Sequence, residues 1–448
     1  MESTAPLVAK LEAKAAAYVR EKRLPGAAVG VVHGDRLEWS AGIGFADVES
    51  RRPPDAGTLY RIASITKTFT GTAIMRLRDE GRLDLDDPIG RHIPELAHLT
   101  QVTIRRLLSH ESGLQSEPPD ADWRRVLYEP SIARNLARGA DITTRVPPNS
   151  QHKYSNMGFQ ILGEIVARTA GVPYVDHLRA TILDPLEMKA SGFDPLPPHL
   201  AVRAATGYSG RFVSDELAKA PIPPSIGAEG GLWSCVEDLS RWLAYQFSDD
   251  RTLAEMHRPR YLANNEWTEA FGIAWYAVRR GERVWVMHSG SLHGFRSCVC
   301  FGPEHGVGAI VLFNGVGDAA TLCLDLAEMV REGLGSKALR VEAPPALPDA
   351  YRPLVGLYFD ADLGLERRVE WRDGRLTMVD PEMPSWRPVL APTAEPDVFL
   401  IEPGFRESGE NAVFRRLPDG RVASIFIAAG TWVRLEPVTA PQRVTSAQ

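Results

Sequence analysis

Ser64-Ile65-Thr66-Lys67-Thr68-Phe69-Thr70-Gly71-Thr72-Ala73-Ile74-Met75-Arg76-Leu77 is the stretch from which the rest of the chain is read. Ile65, Phe69, Ala73 and Leu77 recur every four positions and the run stops at Gly81, so the spacing predicts an amphipathic helix from Ser64 to Glu80. Positions three apart share a helix face, which sets the Lys67 ammonium beside the Ser64 hydroxyl. A serine next to a group that can take its proton is a candidate nucleophile. Four residues alone prove little, because acyl transfer also needs a proton shuttle, donors for the developing oxyanion and a means of holding substrate.

The chain supplies a candidate for each. Tyr154-Ser155-Asn156 follows a proline-rich turn and precedes the helical run Met157 to Thr169, and His288-Ser289-Gly290 falls at the end of a predicted strand. The order and separation of these motifs resemble the S-x-x-K, Y-x-N and K-T-G elements of the class C β-lactamase and D-alanyl-D-alanine carboxypeptidase family. Thr103 to Leu114, Tyr154 to Gly163, Ile182 to Met188 and Gly227 to Leu239 share its texture, and the resemblance covers about residues 10 to 335. It implies that Ser64 is acylated, that Lys67 and Tyr154 share the proton shuttling, and that Asn156 bonds both the substrate amide and Lys67. The substrate side would be completed by His288 and Gly290, with the backbone N–H groups of Ser64 and Ser291 as the oxyanion hole. Neither an unperturbed lysine, near ~10.4, nor a tyrosine, near ~10, is a good base until neighbouring charge or desolvation shifts it.

His288 stands where β-lactamases carry lysine. A histidine there resembles some carboxypeptidases, D-amino-acid-specific aminopeptidases and related esterases, attracts a substrate carboxylate less than a fixed ammonium does, and by its type titrates near neutral pH. The expected function is therefore a serine hydrolase acting on small esters or on peptides with D-amino-acid character. The alternatives are a penicillin-binding-protein-type thioesterase or peptide cyclase, and a weak β-lactamase or penicillin-binding sensor module. There is no G-x-S-x-G elbow, phosphate loop or dinucleotide fingerprint.

Around these motifs the order of elements reads as α+β. An N-terminal helix with Leu7, Leu11, Ala15 and Val19 on one face precedes strands at Ala27 to His33 and Leu37 to Ala46, joined by His33-Gly34-Asp35-Arg36. Residues 82 to 265 read as helical or irregular, an insertion of helices. Strands return at Phe271 to Val278, Arg283 to His288, Phe295 to Phe301 and Gly308 to Phe313, followed by a helix at Ala319 to Arg331. The expectation is an antiparallel sheet flanked by helices plus a helical cluster, built from both ends of one domain at residues 1–337. After a proline-bearing linker at 338–349, residues 350–448 carry seven short strand-like runs, with Asp373-Gly374 and Asp419-Gly420 as tight turns, the pattern of a small β-barrel. By resemblance it is lipocalin-like, a cap over the cleft or an oligomerisation module.

Bulk composition bounds the partners. The chain has 448 residues, a net charge of -6, and 44% hydrophobic and 24% charged residues, with no basic run to favour nucleic acid or an anionic membrane. A small-molecule or peptide substrate is expected, with a homo-oligomer left open. No cofactor is called for. No signal-peptide pattern or membrane span is read, so the expected location is cytoplasmic. Cys235, Cys298, Cys300 and Cys323 lack any C-x-x-C pair and read as reduced, buried thiols, and His92 and His98 lack metal-ligand spacing. His110 and His152 read as structural or surface residues, and His293 as a candidate lining residue.

Overall fold

Ala27-Ala28-Val29-Gly30-Val31-Val32 has no polar residue on either side, the pattern of a strand covered on both faces. In a computed structural model, Gly26–His33 (β1) is buried at seven of its eight positions inside an eight-stranded antiparallel sheet. The structure describes residues 5–119, 132–209, 221–262, 268–333, 347–360, 365–372, 375–379, 388–402, 409–427 and 430–435. From edge to edge the sheet runs Arg36–Gly44 (β2), β1, Val307–Phe313 (β10), Phe295–Gly302 (β9), Arg283–Leu292 (β8), Tyr276–Arg280 (β7), Glu269–Phe271 (β6) and Tyr261–Leu262 (β5). Because β1 pairs with β10, with Ala27 opposite Phe313, the sheet joins strands from both ends of residues 1–337. Gly34, at a φ of 60°, makes the β1–β2 turn.

Alternation sorts the side chains into two layers. Val29, Val31, Cys298, Cys300 and Val311 pack against the helices Ala5–Glu21 and Ala319–Gly333 on one face. Val32, Val299, Phe301, Ile310 and Leu312 meet the helical cluster on the other, where helices Thr66–Asp79, Asn156–Ala170 and Val236–Gln246 lie. Phe69 stacks on Trp242 there, ring centroids 3.9 Å apart. A two-stranded pair, Tyr60–Arg61 (β3) with Trp233–Ser234 (β4), leads the chain into the Ser64 region.

Three expectations need correction. The helix carrying Lys67 is not amphipathic toward solvent: eleven of its fourteen residues are buried. Its threonines make this tolerable by bonding within the fold, Thr68 Oγ1 to Ile65 O at 2.8 Å, Thr72 Oγ1 to Thr68 O at 2.9 Å and Thr70 Oγ1 to Ala228 O at 2.6 Å. The run Phe271 to Val278 is two strands, because Ala274 takes a φ of 59° and the N–H groups of Ile273 and Ala274 are drawn off to Met256 O and Leu108 O. The third motif lies within β8 and not at its end, since that strand continues to Leu292.

The chain divides into two compact units, Met1–Lys337 and Ala338–Gln448. The second is a closed antiparallel barrel of Gly356–Asp360 (β11), Leu365–Arg372 (β12), Arg375–Val379 (β13), Val389–Pro392 (β14), Val398–Glu402 (β15), Asn411–Arg416 (β16), Val422–Ile427 (β17) and Gly430–Leu435 (β18). Tyr358, Met378, Phe399, Phe414, Ile425 and Trp432 fill it. Sequence reading found seven of these strands and missed β14. Asp419-Gly420 turns between β16 and β17 with Gly420 at a φ of 86°, whereas Asp373-Gly374 and most of the linker, residues 338–346, lie outside the described residues. Among the described residues no helix is long and apolar enough to cross a membrane.

Candidate active site

Ser64 sits in a 3-10 turn, Ala63–Ile65, and the α-helix proper starts at Thr66. The turn is forced: Ala63 has a φ of 48°, a left-handed conformation that costs an L-residue about 1 to 2 kcal/mol. One turn on, the Lys67 side chain is fully buried. Its Nζ lies 3.1 Å from Ser64 Oγ, 2.8 Å from Asn156 Oδ1 and 2.8 Å from the backbone carbonyl of Glu229. It also lies over the Tyr154 ring, 5.0 Å from the centroid. Burial holds Lys67 below the usual lysine range, while the carboxylates of Glu229 and Glu117 pull the other way.

The second motif is placed by its middle residue. Ser155 caps the helix Asn156–Ala170: its Oγ accepts from Gly158 N at 3.0 Å and donates to Gln115 O at 2.6 Å. Its own N–H donates to His110 Nδ1 at 3.1 Å. His110 is thus structural, fully buried against the Tyr154 ring at a centroid distance of 4.2 Å. The Tyr154 hydroxyl is hydrogen-bonded to Ser64, and burial raises its pKa. Asn156 presents Oδ1 to Lys67 and donates from Nδ2 to Glu117 Oε1 at 2.6 Å.

The third motif forms the opposite wall. β7 pairs with β8 only as far as Met287, so from His288 onward that edge of β8 has no strand beside it among the described residues. Gly290 lets β8 approach the 3-10 turn: a Cβ there would lie 2.2 Å from Ile62 O and 2.4 Å from Ser297 Oγ. Ser297 Oγ donates to that same Ile62 carbonyl at 2.7 Å, fastening β9 to the turn. His288 is 1% exposed, and its Nδ1 lies 2.7 Å from Ser289 O. That contact makes Nδ1 the protonated nitrogen and leaves Nε2 as an acceptor. Burial, reinforced by Lys67, lowers its pKa to about 3. The titration near neutrality expected from residue type is therefore displaced by desolvation, and His288 is uncharged at physiological pH.

These side chains line a cleft of about 340 Å³ that includes Ser64, Tyr154, Asn156, His288, Ser289 and Ser291. Gly290 shapes it from beneath. His293 lies in the β8–β9 turn and does not line it. A larger cavity of about 980 Å³, beside the helix Arg251–His257, contains none of these residues. His92 bonds Asp87 and His98 bonds a backbone carbonyl, both outside the cleft. The four cysteines are free and buried. Among the described residues no cluster of His, Cys, Asp and Glu could hold a metal ion.

Sequence reasoning missed two acids. Glu117 and Glu229 both line the cleft. Glu229 is 4% exposed, its Oε2 accepts from Gln160 Nε2 at 2.9 Å, and Gln160 Oε1 accepts from Asn135 Nδ2 at 3.1 Å. Burial raises its carboxyl well above the usual range. A lone acid within Gly227-Ala228-Glu229-Gly230-Gly231-Leu232-Trp233 was the available signal.

The serine, lysine, tyrosine and asparagine of the first two motifs are thus brought together in one cleft. The chain belongs to the Beta-lactamase family, whose pattern it matches over residues 11–331. It is 25% identical over 313 residues to protein flp of Staphylococcus aureus strain COL, covering 66% of this chain and 61% of that one. The match thus spans about three fifths of that relative's length. It is 26% identical over 284 residues to the D-alanyl-D-alanine-carboxypeptidase/endopeptidase AmpH of Escherichia coli strain K12, covering 58% of this chain and 71% of that one. Its fold is similar to the octameric penicillin-binding protein homologue from Pyrococcus abyssi, with TM-score 0.64, 23% identity, and coverage of 95% of this chain and 100% of that one. A Yersinia pestis β-lactamase/D-alanine carboxypeptidase complexed with citrate matches with TM-score 0.63 and 22% identity over 74% of this chain and 100% of that one.

Proposed function

We propose that the protein is a serine hydrolase that forms an acyl-enzyme at Ser64 and acts on small esters or on peptides with D-amino-acid character. The observation that carries this reading is the set of partners around Lys67. Asn156 Oδ1 and the Glu229 carbonyl can only accept, whereas the Ser64 hydroxyl can accept or donate. An uncharged amine has two N–H groups and one lone pair, so it satisfies both acceptors and turns its lone pair on the Ser64 O–H. Burial favours that uncharged form.

In the acylation step, Ser64 Oγ bonds to the acyl carbon, its proton passes to Lys67 Nζ, and the carbonyl π pair moves onto oxygen. The Ser64 and Ser291 backbone N–H groups are the donors assigned to that oxyanion, each worth about 3 kcal/mol of barrier. The adduct collapses with cleavage of the bond to the leaving alkoxide or amine, which takes a proton from Tyr154, and Lys67 returns one to Tyr154. Water then adds to the Ser64 ester and gives up one proton through the same groups. The acid leaves and Ser64 is restored. An uncharged His288 in place of a fixed cation speaks against penicillin as the main substrate, and the similarity to the D-alanyl-D-alanine-carboxypeptidase/endopeptidase AmpH speaks for peptides. Oligomerisation belongs to the same proposal, supported by the octameric homologue and tested by sedimentation.

The test incubates the full chain and its Ser64→Ala variant with short-chain nitrophenyl esters, D-aminoacyl amides, D-Ala-D-Ala peptides and a chromogenic cephalosporin, followed by intact-protein mass spectrometry. An acyl adduct on the wild type alone, with turnover of esters or D-aminoacyl compounds, is the expected result. Turnover by Ser64→Ala at the wild-type rate refutes the mechanism. Turnover of cephalosporin alone makes the chain a β-lactamase, and release only to an added amine makes it a cyclase.

A further inference from the structure

We propose that Glu117 selects the substrate: its carboxylate receives the free α-ammonium of the aminoacyl group delivered to Ser64, so the cleft takes aminoacyl compounds with an unblocked amine ahead of neutral or anionic counterparts. This rests on the reading of Ser64 as the acylated residue and narrows what that site accepts.

Asn156 is the residue expected to bond the substrate amide, yet part of its capacity is engaged within the protein. Its Nδ2 donates to Glu117 Oε1 at 2.6 Å while its Oδ1 lies 2.8 Å from Lys67 Nζ. A carboxylate can only accept, so Glu117 fixes which end of the amide faces which partner. The donated bond also favours the ionised form of the carboxyl. An anionic acceptor thereby stands beside the residue meant to hold substrate. Nδ2 has a second hydrogen, but a substrate carbonyl that reaches it also approaches the Glu117 carboxylate, acceptor toward acceptor. An ammonium meets no such conflict. It brings three donors, and one bond from Asn156 does not exhaust a carboxylate with about four acceptor sites.

The rest of the lining points the same way. Among the described residues that line the cleft there is no lysine or arginine. Lys67 is buried behind Ser64, where its Nζ serves Ser64, Asn156 and the Glu229 carbonyl. His288 does not replace a cation, because Nδ1 lies 2.7 Å from Ser289 O and donates to it, which leaves only an acceptor at Nε2. A substrate carboxylate thus finds no fixed positive charge in this lining, whereas a substrate ammonium finds Glu117. Glu117 is half-buried, so the pair forms partly out of water, where a charge-assisted hydrogen bond outweighs a neutral one.

The test reads protection of Ser64 in the full chain at pH 7, where an α-amine with a pKa of about 7.7 to 8.0 is mostly ammonium. A fluorophosphonate labels the serine: Oγ bonds to phosphorus, the hydroxyl proton passes to Lys67, and fluoride leaves with the bonding pair. Labelling rates are read by intact mass against rising D-alaninamide or D-lactamide, two amides of nearly equal size that differ by an ammonium in place of a hydroxyl. In the wild type, D-alaninamide is expected to half-protect at a concentration about tenfold or more below that of D-lactamide. In Glu117→Gln the two concentrations are expected to agree within about threefold, and Glu117→Asp, which keeps a carboxylate, to retain part of the preference. Equal protection by the two amides in the wild type overturns the inference with no variant needed. A wild-type preference that survives undiminished in Glu117→Gln overturns it as well. Labelling of Ser64→Ala at the wild-type rate, or no labelling of the wild type, overturns the acyl-enzyme reading instead.

Discussion

Gly290→Ala is the sharpest probe of how the cleft is built. The new Cβ would sit 2.2 Å from Ile62 O and 2.4 Å from Ser297 Oγ, and 3.1 Å from Ala63 Cβ. Easing the first approach to ordinary contact near 3.4 Å requires a shift of about 1.2 Å. The Ile62 carbonyl cannot simply retreat, because Ser297 Oγ donates to it and the 3-10 turn starts one residue later. The displacement is therefore expected to fall on β8, moving the backbone N–H of Ser291 away from that of Ser64. A misplacement of about 1 Å costs about 10²-fold, and loss of one oxyanion donor about 10²- to 10³-fold. The expected fall in kcat/KM toward a short-chain nitrophenyl ester is about 10²-fold, equivalent to about 2.7 kcal/mol, with about 1 to 3 kcal/mol lost in stability by overpacking. Steady-state kinetics with a urea melt reads both. Gly192→Ala is the control, because the nearest atom to its Cβ is 3.9 Å away. A Gly290→Ala enzyme within threefold of wild type would show that the close approach of β8 to Ser64 does not matter to the chemistry.

Lys67→Arg installs a charge that cannot be released, and a guanidinium does not match three partners arranged around one nitrogen. Ester turnover is expected to drop about 10²- to 10⁴-fold, and a wild-type rate would exclude Lys67 as the base. Burial depresses both His257 and His288 to about 3, so each is neutral in the fold and takes up a proton on unfolding once the pH drops below about 6.5. Their stabilising contribution is full above that value and is lost as pH falls toward 3, by about 1.4 kcal/mol per pH unit for each. His288→Asn is expected to lose about 2 kcal/mol less than wild type between pH 6.5 and 5 in urea melts, and parallel curves would contradict the burial argument. Cys298, Cys300 and Cys323 are buried with thiol pKa values raised for Cys298 and Cys323. Iodoacetamide is expected to modify them only after unfolding, and rapid alkylation of the native protein would refute this.

The motifs were legible because each is a local instruction. Ser64 and Lys67 are one helical turn apart, Ser155 caps the helix that begins with Asn156, and Gly290 is needed wherever a strand must pass a backbone carbonyl. Glu117 and Glu229 were not legible, since their place in the cleft depends on how a distant loop and the short helix Gly227–Gly230 pack and no spacing rule encodes it. The burial of the Thr66–Asp79 helix was hidden for a related reason: threonine counts as polar in a periodicity, yet it can satisfy its hydroxyl on its own helix. The strand Val389–Pro392 escaped notice because four residues ending in proline carry almost no alternation. His288 shows the same limit in electrostatics, where residue type supplied a neutral-range pKa and burial removed it.

The pairing of β1 with β10 has a consequence for synthesis. Ala27 finds its partner Phe313 only after 286 further residues have been made, which at about 5 to 20 residues per second is roughly 15 to 60 s. During that interval Ala27 to Val32, apolar on both sides, has β2 along one edge and nothing along the other. The nascent chain thus carries an open, sticky strand edge for most of its translation, and the platform beneath Ser64 is completed only when the last strand of the sheet emerges.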